Sequence, residues 1–405
     1  MKPTKGVVLA FLGLVTACDS SGTIALAPDA SADGPVLDAT ADGVVAEAGP
    51  DPCADAGLPP TSLACTGLYA DLGTKQLAAN AVAYTPATPL WSDNAQKARW
   101  IELPPGTTID ISNPDEWMFP VGTKLFKEFR IDSKRVETRM FQKSTPTFWV
   151  FATYAWNGDD SAATISYGGP VPVGDGGTWN IPSNDDCSDC HKGRQDRILG
   201  FEQVGLGLPG AQGLTLAELA AQGLVTPLPA STTLTVGDDG TGLDGLALGW
   251  IHVNCGVTCH NSNPAAAGFG AGMLLRLHAA QLDGTPPSAA WDVFKTTVNV
   301  PCTSGSVAGE PRIVPGDPAD SVVYQLMDER GTLQMPPIGS VLVDVPDVAV
   351  VHAWIQAMGA AGDGGADTDA SGPFDAGDDG SHHHDGGGEH DAGPADGMSD
   401  DDAGD

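Results

Sequence analysis

Lysine and arginine are scarce in this sequence: 19 basic residues stand against 52 aspartates and glutamates in 405 residues, a formal net charge of −33. The shortage is complete near the two ends, since residues 19–52 and 360–405 contain neither lysine nor arginine. A nucleic-acid-binding surface needs clustered basic side chains, so no nucleic-acid partner is expected. The segment between the two ends has the composition of an ordinary acidic globular protein.

Large apolar residues are also scarce near the ends. Residues 19–57 and 360–405 consist mainly of Asp, Gly, Ala and Pro. Such segments cannot bury enough apolar surface to offset the entropy that is lost on folding. We therefore expect a disordered acidic linker over 19–57 and a disordered acidic tail over 360–405.

The apolar run VVLAFLGLV is too short to span a bilayer, but its surroundings are informative. Lys2 and Lys5 precede it, and VTAC follows it and ends at Cys18. This order is typical of a lipoprotein signal peptide over residues 1–18, with Cys18 acylated at the mature N-terminus. We expect an exported protein, lipid-anchored to a bacterial membrane and facing the periplasm or cell surface. A plain secretory signal is the alternative.

Seven cysteines follow Cys18, and an odd number cannot all form disulfides. Export to an oxidising compartment permits both disulfides and covalent attachment of haem. Cys53 and Cys65 lie close together in the sequence, at the edge of the segment where strands are expected. A disulfide between them would close a short loop, and we predict this pair.

Aromatic and β-branched residues concentrate in residues 58–182. The runs 119–131, 134–143 and 147–157 have this composition, and Gly, Pro, Asn and Asp supply turns between them. The period of two in the second run places Arg139 on the face opposite the apolar residues. These features predict an antiparallel β-sandwich or barrel-like domain over 58–182.

After Pro182 the pattern becomes helical. In residues 213–224, Thr215 precedes Glu218 by three residues, which is typical of a capped helix start. Residues 318–329 begin with proline and are compatible with a helix, and 347–358 has apolar residues at helical spacing. The predicted fold class is therefore multidomain α+β, with a β-rich domain followed by a mainly helical region.

The stretch CSDCH contains Cys187, Cys190 and His191 and is a complete C-x-x-C-H element. Two cysteines one helical turn apart can each bond one vinyl group of the same haem, and the next histidine can then ligate the iron. A zinc site that joins these cysteines to Cys255 and Cys259 is one alternative, and a disulfide is another. A redox dithiol would need a βαβ context, which the surrounding sequence lacks.

The stretch CGVTCH has one residue more between its cysteines, Cys255 and Cys259. The extra residue turns the first cysteine by about 100° around a helix, so attachment of haem would need a loosened turn, which Gly256 favours. Cys259 and His260 remain adjacent, as haem ligation requires. The alternative is a disulfide between Cys255 and Cys302, with haem attached once or not at all.

Downstream, Met335 precedes two prolines in QMPPIG. A methionine on a stiff loop suits a weak axial bond from sulfur to haem iron, so Met335 is a candidate sixth ligand at the second site, and a core methionine beside a proline-rich turn is the alternative. No methionine lies in residues 192–254, and His252 is the histidine of that segment. The first site therefore lacks an evident sixth ligand. Other candidates are Met118, Met140, Met273 and His278.

The stretches LWSDNAQKARWIELPPGTTID, WMFPVGTKLFKEFRI and WNIPSNDDCSDCH, followed by GWIHVNCGVTCHN, RIVPGDPADSVVYQLM and VHAWIQAM, resemble a family of exported bacterial dihaem c-type cytochromes. The resemblance covers about residues 85–359, and its second part is also similar to cytochrome c domains in general. It implies a first haem c segment over 183–245 and a cytochrome c-like domain over 246–359. Family members usually have C-x-x-C-H at both sites, so CGVTCH is a departure.

The resemblance implies two haem c groups and a role in electron transfer with redox partner proteins. The haem-attaching residues would be Cys187, Cys190, Cys255 and Cys259, and the iron ligands would be His191, His260 and Met335. A haem enzyme with an open first site is an alternative function. A non-haem surface lipoprotein with a β binding module is another.

Overall fold

The structure, a computed structural model, describes Asp51, residues 53–282 and residues 288–362. The predicted signal peptide with Cys18, the linker up to residue 50 and the tail from residue 363 onward lie outside these residues. The chain divides into two compact units after Asp51, and the other described residues all belong to the second unit.

Strands dominate the chain before residue 182, and helices dominate after it. The strands are β1 (Tyr69–Asp71), β2 (Gln76–Leu77), β3 (Val82–Thr85), β4 (Gln96–Glu102), β5 (Ile109–Asp110), β6 (Lys124–Ile131), β7 (Lys134–Thr145), β8 (Phe148–Trp156), β9 (Ala163–Ser166), β10 (Gly169–Pro172), β11 (Thr178–Ile181), β12 (Gln212–Gly213) and β13 (Val225–Thr226). The helices are α1 (Asn184–His191), α2 (Gln203–Gly207), α3 (Leu216–Ala221), α4 (Asp244–Ile251), α5 (Asp292–Lys295), α6 (Val322–Asp328) and α7 (Val345–Gly362).

The main sheet is antiparallel and has seven strands in the order β12-β3-β4-β6-β7-β8-β9. Its long hairpin, β6 to β7, turns at Asp132 and Ser133, whose φ angles are 47° and 68°. Positive φ at both residues of a two-residue turn matches the natural twist of paired strands. The three predicted strand runs thus form the centre of this sheet.

The predicted two-layer sandwich or closed barrel is replaced by one large sheet with other elements on its two faces. The remaining strand pairs of the described chain are small: β1 with β2, β10 with β11, and β13 with β5. Two of the short strands, β12 and β13, come from the predicted haem segment 183–245 and pair with β3 and β5. The segment after residue 182 therefore packs on the sheet and contributes strands to it.

Both faces of the main sheet are buried, which explains why neither is uniformly polar. Met140 lies on one face, in an apolar cluster with Leu63 and Leu68 from the segment that precedes β1. Phe141 lies on the other face, in a cluster with Phe201 and residues of α2 and α3. The alternation in β7 is present as predicted, but Arg139 faces the protein interior and not solvent.

The helical part has its own apolar core, built mainly from α4, α6 and α7. Val351, Trp354 and Ile355 of α7 are fully buried there, and Leu248 of α4 is 1% exposed. Helical spacing of apolar residues in 347–358 predicts this buried face, and the helix extends slightly beyond the predicted run. In the described part of the chain, no helix combines the length and the apolar character that a membrane crossing requires.

Candidate functional site

The CSDCH element lies on helix α1, directly after the last strand. Ser183 caps this helix: its hydroxyl accepts a hydrogen bond from the Asp186 amide (3.2 Å), and the Asp186 carboxylate accepts one from the Ser183 amide (2.9 Å). This reciprocal capping stabilises the first turn of a short helix. Cys187 and Cys190 are therefore held one helical turn apart, as the sequence predicts.

His191 is the last residue of α1, and its ring orientation is fixed from two sides. Its Nδ1 lies 2.6 Å from the Arg197 carbonyl oxygen, so Nδ1 carries the proton and donates. Its ring stacks on Phe141 of β7, with centroids 4.4 Å apart and planes at 28°. Burial lowers the pKa of His191 to about 4, which keeps the imidazole neutral at pH 7. Nε2 is left as a basic nitrogen, the form that ligates a metal.

The loop after His191 is fastened to the sheet by Asp196. The carboxylate of Asp196 accepts two hydrogen bonds from Lys143 Nζ (2.8 and 2.7 Å), one from Trp149 Nε1 (2.8 Å) and one from the Phe119 amide (2.7 Å). Lys143 is 2% exposed and Asp196 is 4% exposed, so this is a buried and fully bonded ion pair. It positions the neighbouring Arg197 carbonyl that orients His191.

The extra residue of CGVTCH is accommodated by a π-helical turn, His252–Gly256, which continues α4. The amide of Val257 donates to the His252 carbonyl (2.8 Å), and the amide of His260 donates to the Cys255 carbonyl (2.8 Å). Both bonds span five residues, and a π-turn inserts one residue into a helix without unwinding it. The loosened turn expected from the sequence is therefore this widened turn.

Gly256 is required for a different reason than the predicted flexibility. A β-carbon at this position would lie 2.5 Å from the carbonyl of Leu275 and from the Arg276 amide. The backbone of the π-turn thus packs directly on residues 275–276. Cys255 beside it packs against the apolar core of the helical part, and burial raises the pKa of its thiol to about 12.

His260 is 8% exposed, and its Nδ1 has no hydrogen-bond partner in the described part of the chain. Burial, followed by the charge of Arg312, lowers the pKa of His260 to about 4. A β-carbon on Gly268 would lie 2.9 Å from Nδ1, so the ring is enclosed on that side. A buried imidazole nitrogen without a hydrogen-bond partner is costly, and such groups are typical of sites that hold a ligand.

The two cysteine-histidine elements are in contact. A β-carbon on Gly193, two residues after His191, would overlap the carbonyl oxygen of Thr258. The sulfur of Cys259 adds to the effect of burial in raising the pKa of Cys190 to about 12. All four thiols of the two elements have raised pKa values because they are buried. A redox-active C-x-x-C pair has a lowered thiol pKa, so this environment disfavours that alternative.

A cavity of about 780 Å³ lies between these elements and the main sheet. This volume is in the range of pockets that hold a cofactor. The sulfur-bearing and imidazole residues on its wall are Cys187, Cys190, His191 and Cys259. Cys255, His260 and Met335 do not line it, although all three lie in or beside segments that do. The structure therefore brings together four of the seven residues predicted to bind haem.

The opposite walls of the cavity come from the loop at residues 91–93 and from loop 331–342, and hydrogen bonds join these two loops. Asp93 accepts hydrogen bonds from the amides of Val341 (3.0 Å) and Leu342 (2.9 Å), and Trp91 Nε1 donates to the Leu342 carbonyl (2.9 Å). The Trp91 amide also donates to Asn254 in the π-turn (2.8 Å). Loop 331–342 contains the predicted ligand Met335, whose amide donates to the Leu326 carbonyl (2.7 Å).

Three basic side chains of the sheet also line the cavity. Arg99 of β4 lies directly opposite Lys127 of β6, which lies directly opposite Arg139 of β7. Burial lowers the pKa of Arg99, and burial together with the charges of Arg99 and its neighbours lowers the pKa of Lys127 well below its usual value. Sequence reasoning missed this row, because register across strands cannot be read from the strands themselves.

The other predicted candidates for a sixth ligand at the first site are engaged elsewhere. His252 Nδ1 accepts from the Leu277 amide (2.9 Å), and Nε2 lies 3.4 Å from Glu202 Oε1. His278 pairs with Asp115 at 2.8 Å, and Met140 faces the opposite side of the sheet. Among the described residues, His191 is the one histidine on the cavity wall, and no methionine lies there.

The predicted Cys53–Cys65 disulfide is present, so the end of the predicted linker is tied to the β-rich region. Cys255 and Cys302 are both free, without the alternative disulfide. A zinc site needs at least three ligand atoms close to one another, and in the described chain no such group includes a cysteine. The group of three that is present consists of the carboxylates Asp238, Asp239 and Asp244.

The geometry fits haem better at the first element than at the second. At the first element, both cysteines and an oriented imidazole border a cavity of suitable size; at the second element, one cysteine does. No protein-family model, no curated protein and no solved structure matches this chain. The functional argument therefore depends on the residues of the chain itself.

Proposed function

We propose that the protein is an exported, membrane-anchored dihaem c-type cytochrome that transfers electrons to and from redox partner proteins. The observation that carries this proposal is the contact between the two Cys-Cys-His elements, through Gly193 and Thr258, beside a cavity lined by Cys187, Cys190, His191 and Cys259. Covalent haem would supply an iron that accepts and releases one electron. Two such groups on neighbouring segments would pass electrons from one to the other.

At the first site, this chain provides attachment and orientation. Cys187 and Cys190 would form the thioethers, and His191 would ligate the iron through Nε2. The hydrogen bond from Nδ1 to the Arg197 carbonyl increases the basicity of the ring and prevents its rotation. The stack with Phe141 restricts the ring further. Ligands that are held in place in this way would keep the reorganisation energy of electron transfer low.

At the second site, we propose attachment through Cys259 with His260 as the iron ligand. Cys259 lines the cavity, whereas Cys255 packs into the core of the helical part. The π-turn therefore accommodates the extra residue by turning the first cysteine away from the cavity side. Met335 remains the proposed sixth ligand at this site, and its loop forms one wall of the cavity.

Intact mass spectrometry of the mature protein, expressed with a cytochrome c maturation system, tests this proposal. We expect a mass increase of two haems plus acylation at Cys18, and a pyridine haemochrome value close to two per chain. A Cys187→Ser, Cys190→Ser variant should lose one haem. The matched control, Cys302→Ser, removes a cysteine outside both elements and should keep two. A wild-type chain that carries no covalent haem after acid–acetone extraction would contradict the proposal and favour a non-haem lipoprotein.

One observation favours a second function, a haem enzyme. In the described chain, no methionine and no histidine other than His191 lies on the cavity wall to serve as a sixth ligand at the first site. An open position would allow a small substrate or peroxide to bind there. A high-spin absorption spectrum that responds to cyanide would support this function. Two low-spin, six-coordinate haems in the resting protein would exclude it.

A further inference from the structure

The row formed by Arg99, Lys127 and Arg139 requires an explanation that the fold alone does not provide. Like charges directly opposite each other on neighbouring strands destabilise a sheet. Here three cations occupy consecutive strands, and Arg99 is 6% exposed. Burying several cations side by side is costly unless anions pair with them.

The protein supplies little negative charge to this row. Glu137 pairs with Arg139 through Oε1, and both lie on β7. Lys127 has a cation–π contact with Phe129 (4.7 Å), and no hydrogen bond or ion pair to Lys127 or Arg99 is found in the described residues. Arg139 is therefore the member of the row with a paired carboxylate, and Arg99 and Lys127 face the cavity without one among the described residues.

Three carboxylates line the cavity, and each accepts hydrogen bonds from groups outside the row. Asp93 accepts from the amides of loop 331–342, and Asp186 accepts from Ser183. Glu202 accepts from the amides of Val204 and Gly205. None of these carboxylates forms an ion pair with the row in the described structure.

We propose that the row binds carboxylates within the cavity, and that its occupants are the two propionates of the haem attached at Cys187 and Cys190. This inference rests on the proposed function. Two propionates would provide the carboxylate partners that Arg99 and Lys127 lack among the described residues. Guanidinium groups bind carboxylates in a bidentate manner, and Lys127, which lies between Arg99 and Arg139, adds a third donor group. The sheet would thus contribute the polar end of a site whose sulfur and imidazole groups come from α1.

The test compares Lys127→Gln and Arg99→Gln with the control Arg130→Gln. Arg130 lies on the same strand as Lys127, but it pairs with Glu128 and does not line the cavity. A cation near the iron favours the reduced state, so each cavity variant should shift the reduction equilibrium about tenfold toward oxidation, ~59 mV for one electron. Arg130→Gln should leave the midpoint potential unchanged. In a redox titration, the transition that belongs to the first site is identified as the one that a Cys187→Ser, Cys190→Ser variant lacks.

A second measurement separates direct contact from a general electrostatic effect. With haem labelled by ¹³C at its propionates, the redox-linked infrared difference bands should move in Lys127→Gln and stay in place in Arg130→Gln. Unmoved bands in a haem-loaded Lys127→Gln variant overturn this inference, whatever the potential does. A wild-type chain without covalent haem overturns the proposed function instead. A succinate-induced shift of the wild-type potential that Lys127→Gln abolishes would show that the row binds free carboxylates, and this also overturns the inference.

Discussion

Gly193 and Thr258 are packed so closely that a β-carbon at residue 193 would overlap the carbonyl oxygen of residue 258. One residue follows CSDCH by two positions, and the other lies inside CGVTCH. The contact therefore sets the separation of the two elements in space. In the sequence, 64 residues lie between Cys190 and Cys255.

Replacing Gly193 with alanine tests this contact. We expect Gly193→Ala to lower stability by about 1–3 kcal/mol, because backbone atoms on both sides must move to admit a methyl group. Gly245→Ala is the matched control, since nothing lies within 4 Å of the added carbon there. Thermal unfolding followed by circular dichroism measures both variants. Equal melting temperatures for the two variants would contradict the close approach.

Asp196→Asn should be strongly destabilising. It breaks the buried pair with Lys143 and leaves an uncompensated charge, which costs about 3–5 kcal/mol in comparable cases. Asp189→Asn provides the control: its pair with Lys192 is half exposed, and such pairs contribute about 0–1 kcal/mol. Urea unfolding gives both free energies. A loss below 1 kcal/mol for Asp196→Asn would show that the pair does not anchor the loop.

Glu202 should make stability depend on pH in acid. Burial alone would raise its pKa, but the hydrogen bond and charge of His252, together with Arg194 and Arg276, hold it at about 2. Because the folded pKa is depressed, this stabilisation is present above the unfolded value of about 4.5 and is lost as pH falls toward 2. It amounts to roughly 3 kcal/mol at neutral pH, from a shift of this size.

The measurement is the free energy of unfolding in urea at pH 7 and at pH 3, for wild type and for Glu202→Gln. The difference between the two proteins should shrink as the pH falls. Glu218→Gln is a suitable control, because Glu218 is exposed and its carboxylate accepts from Gln222 on the surface. A constant difference between wild type and Glu202→Gln at both pH values would refute the assignment.

The two cysteines of CGVTCH should respond differently to substitution. If haem reaches this element through Cys259, Cys259→Ser should lose one haem by intact mass, whereas Cys255→Ser should keep both. Loss of one haem in both variants would mean that Cys255 also forms a thioether, which its position in the apolar core argues against.

Local patterns in the sequence predict much of the fold. The composition of 119–157 places three central strands, and the apolar spacing in 347–358 identifies the buried face of α7. These signals are local, because side chains alternate in strands and recur every three to four residues in helices. The expectation of a sandwich or barrel was wrong, because strand composition does not show that helices and loops cover the second face of the sheet.

The candidate site was predictable in its sulfur and imidazole residues but not in its walls. C-x-x-C-H identifies Cys187, Cys190 and His191 by spacing alone. The cations of the row belong to three strands, and their alignment depends on register, which tertiary packing sets. The role of Gly256 was misjudged for the same reason, since its constraint comes from residues 275–276 and not from its own turn.

Cys187 is 9% exposed in the folded chain, and Phe141 of the sheet stacks on His191 at the end of the same helix. If haem is attached at Cys187, as proposed, the enzyme that attaches it needs access to this sulfur, and access is widest before α1 packs on the sheet. Attachment would then precede the final packing of α1. In that case the rate of folding would compete with the rate of attachment, and a chain that folded first would keep an unmodified thiol.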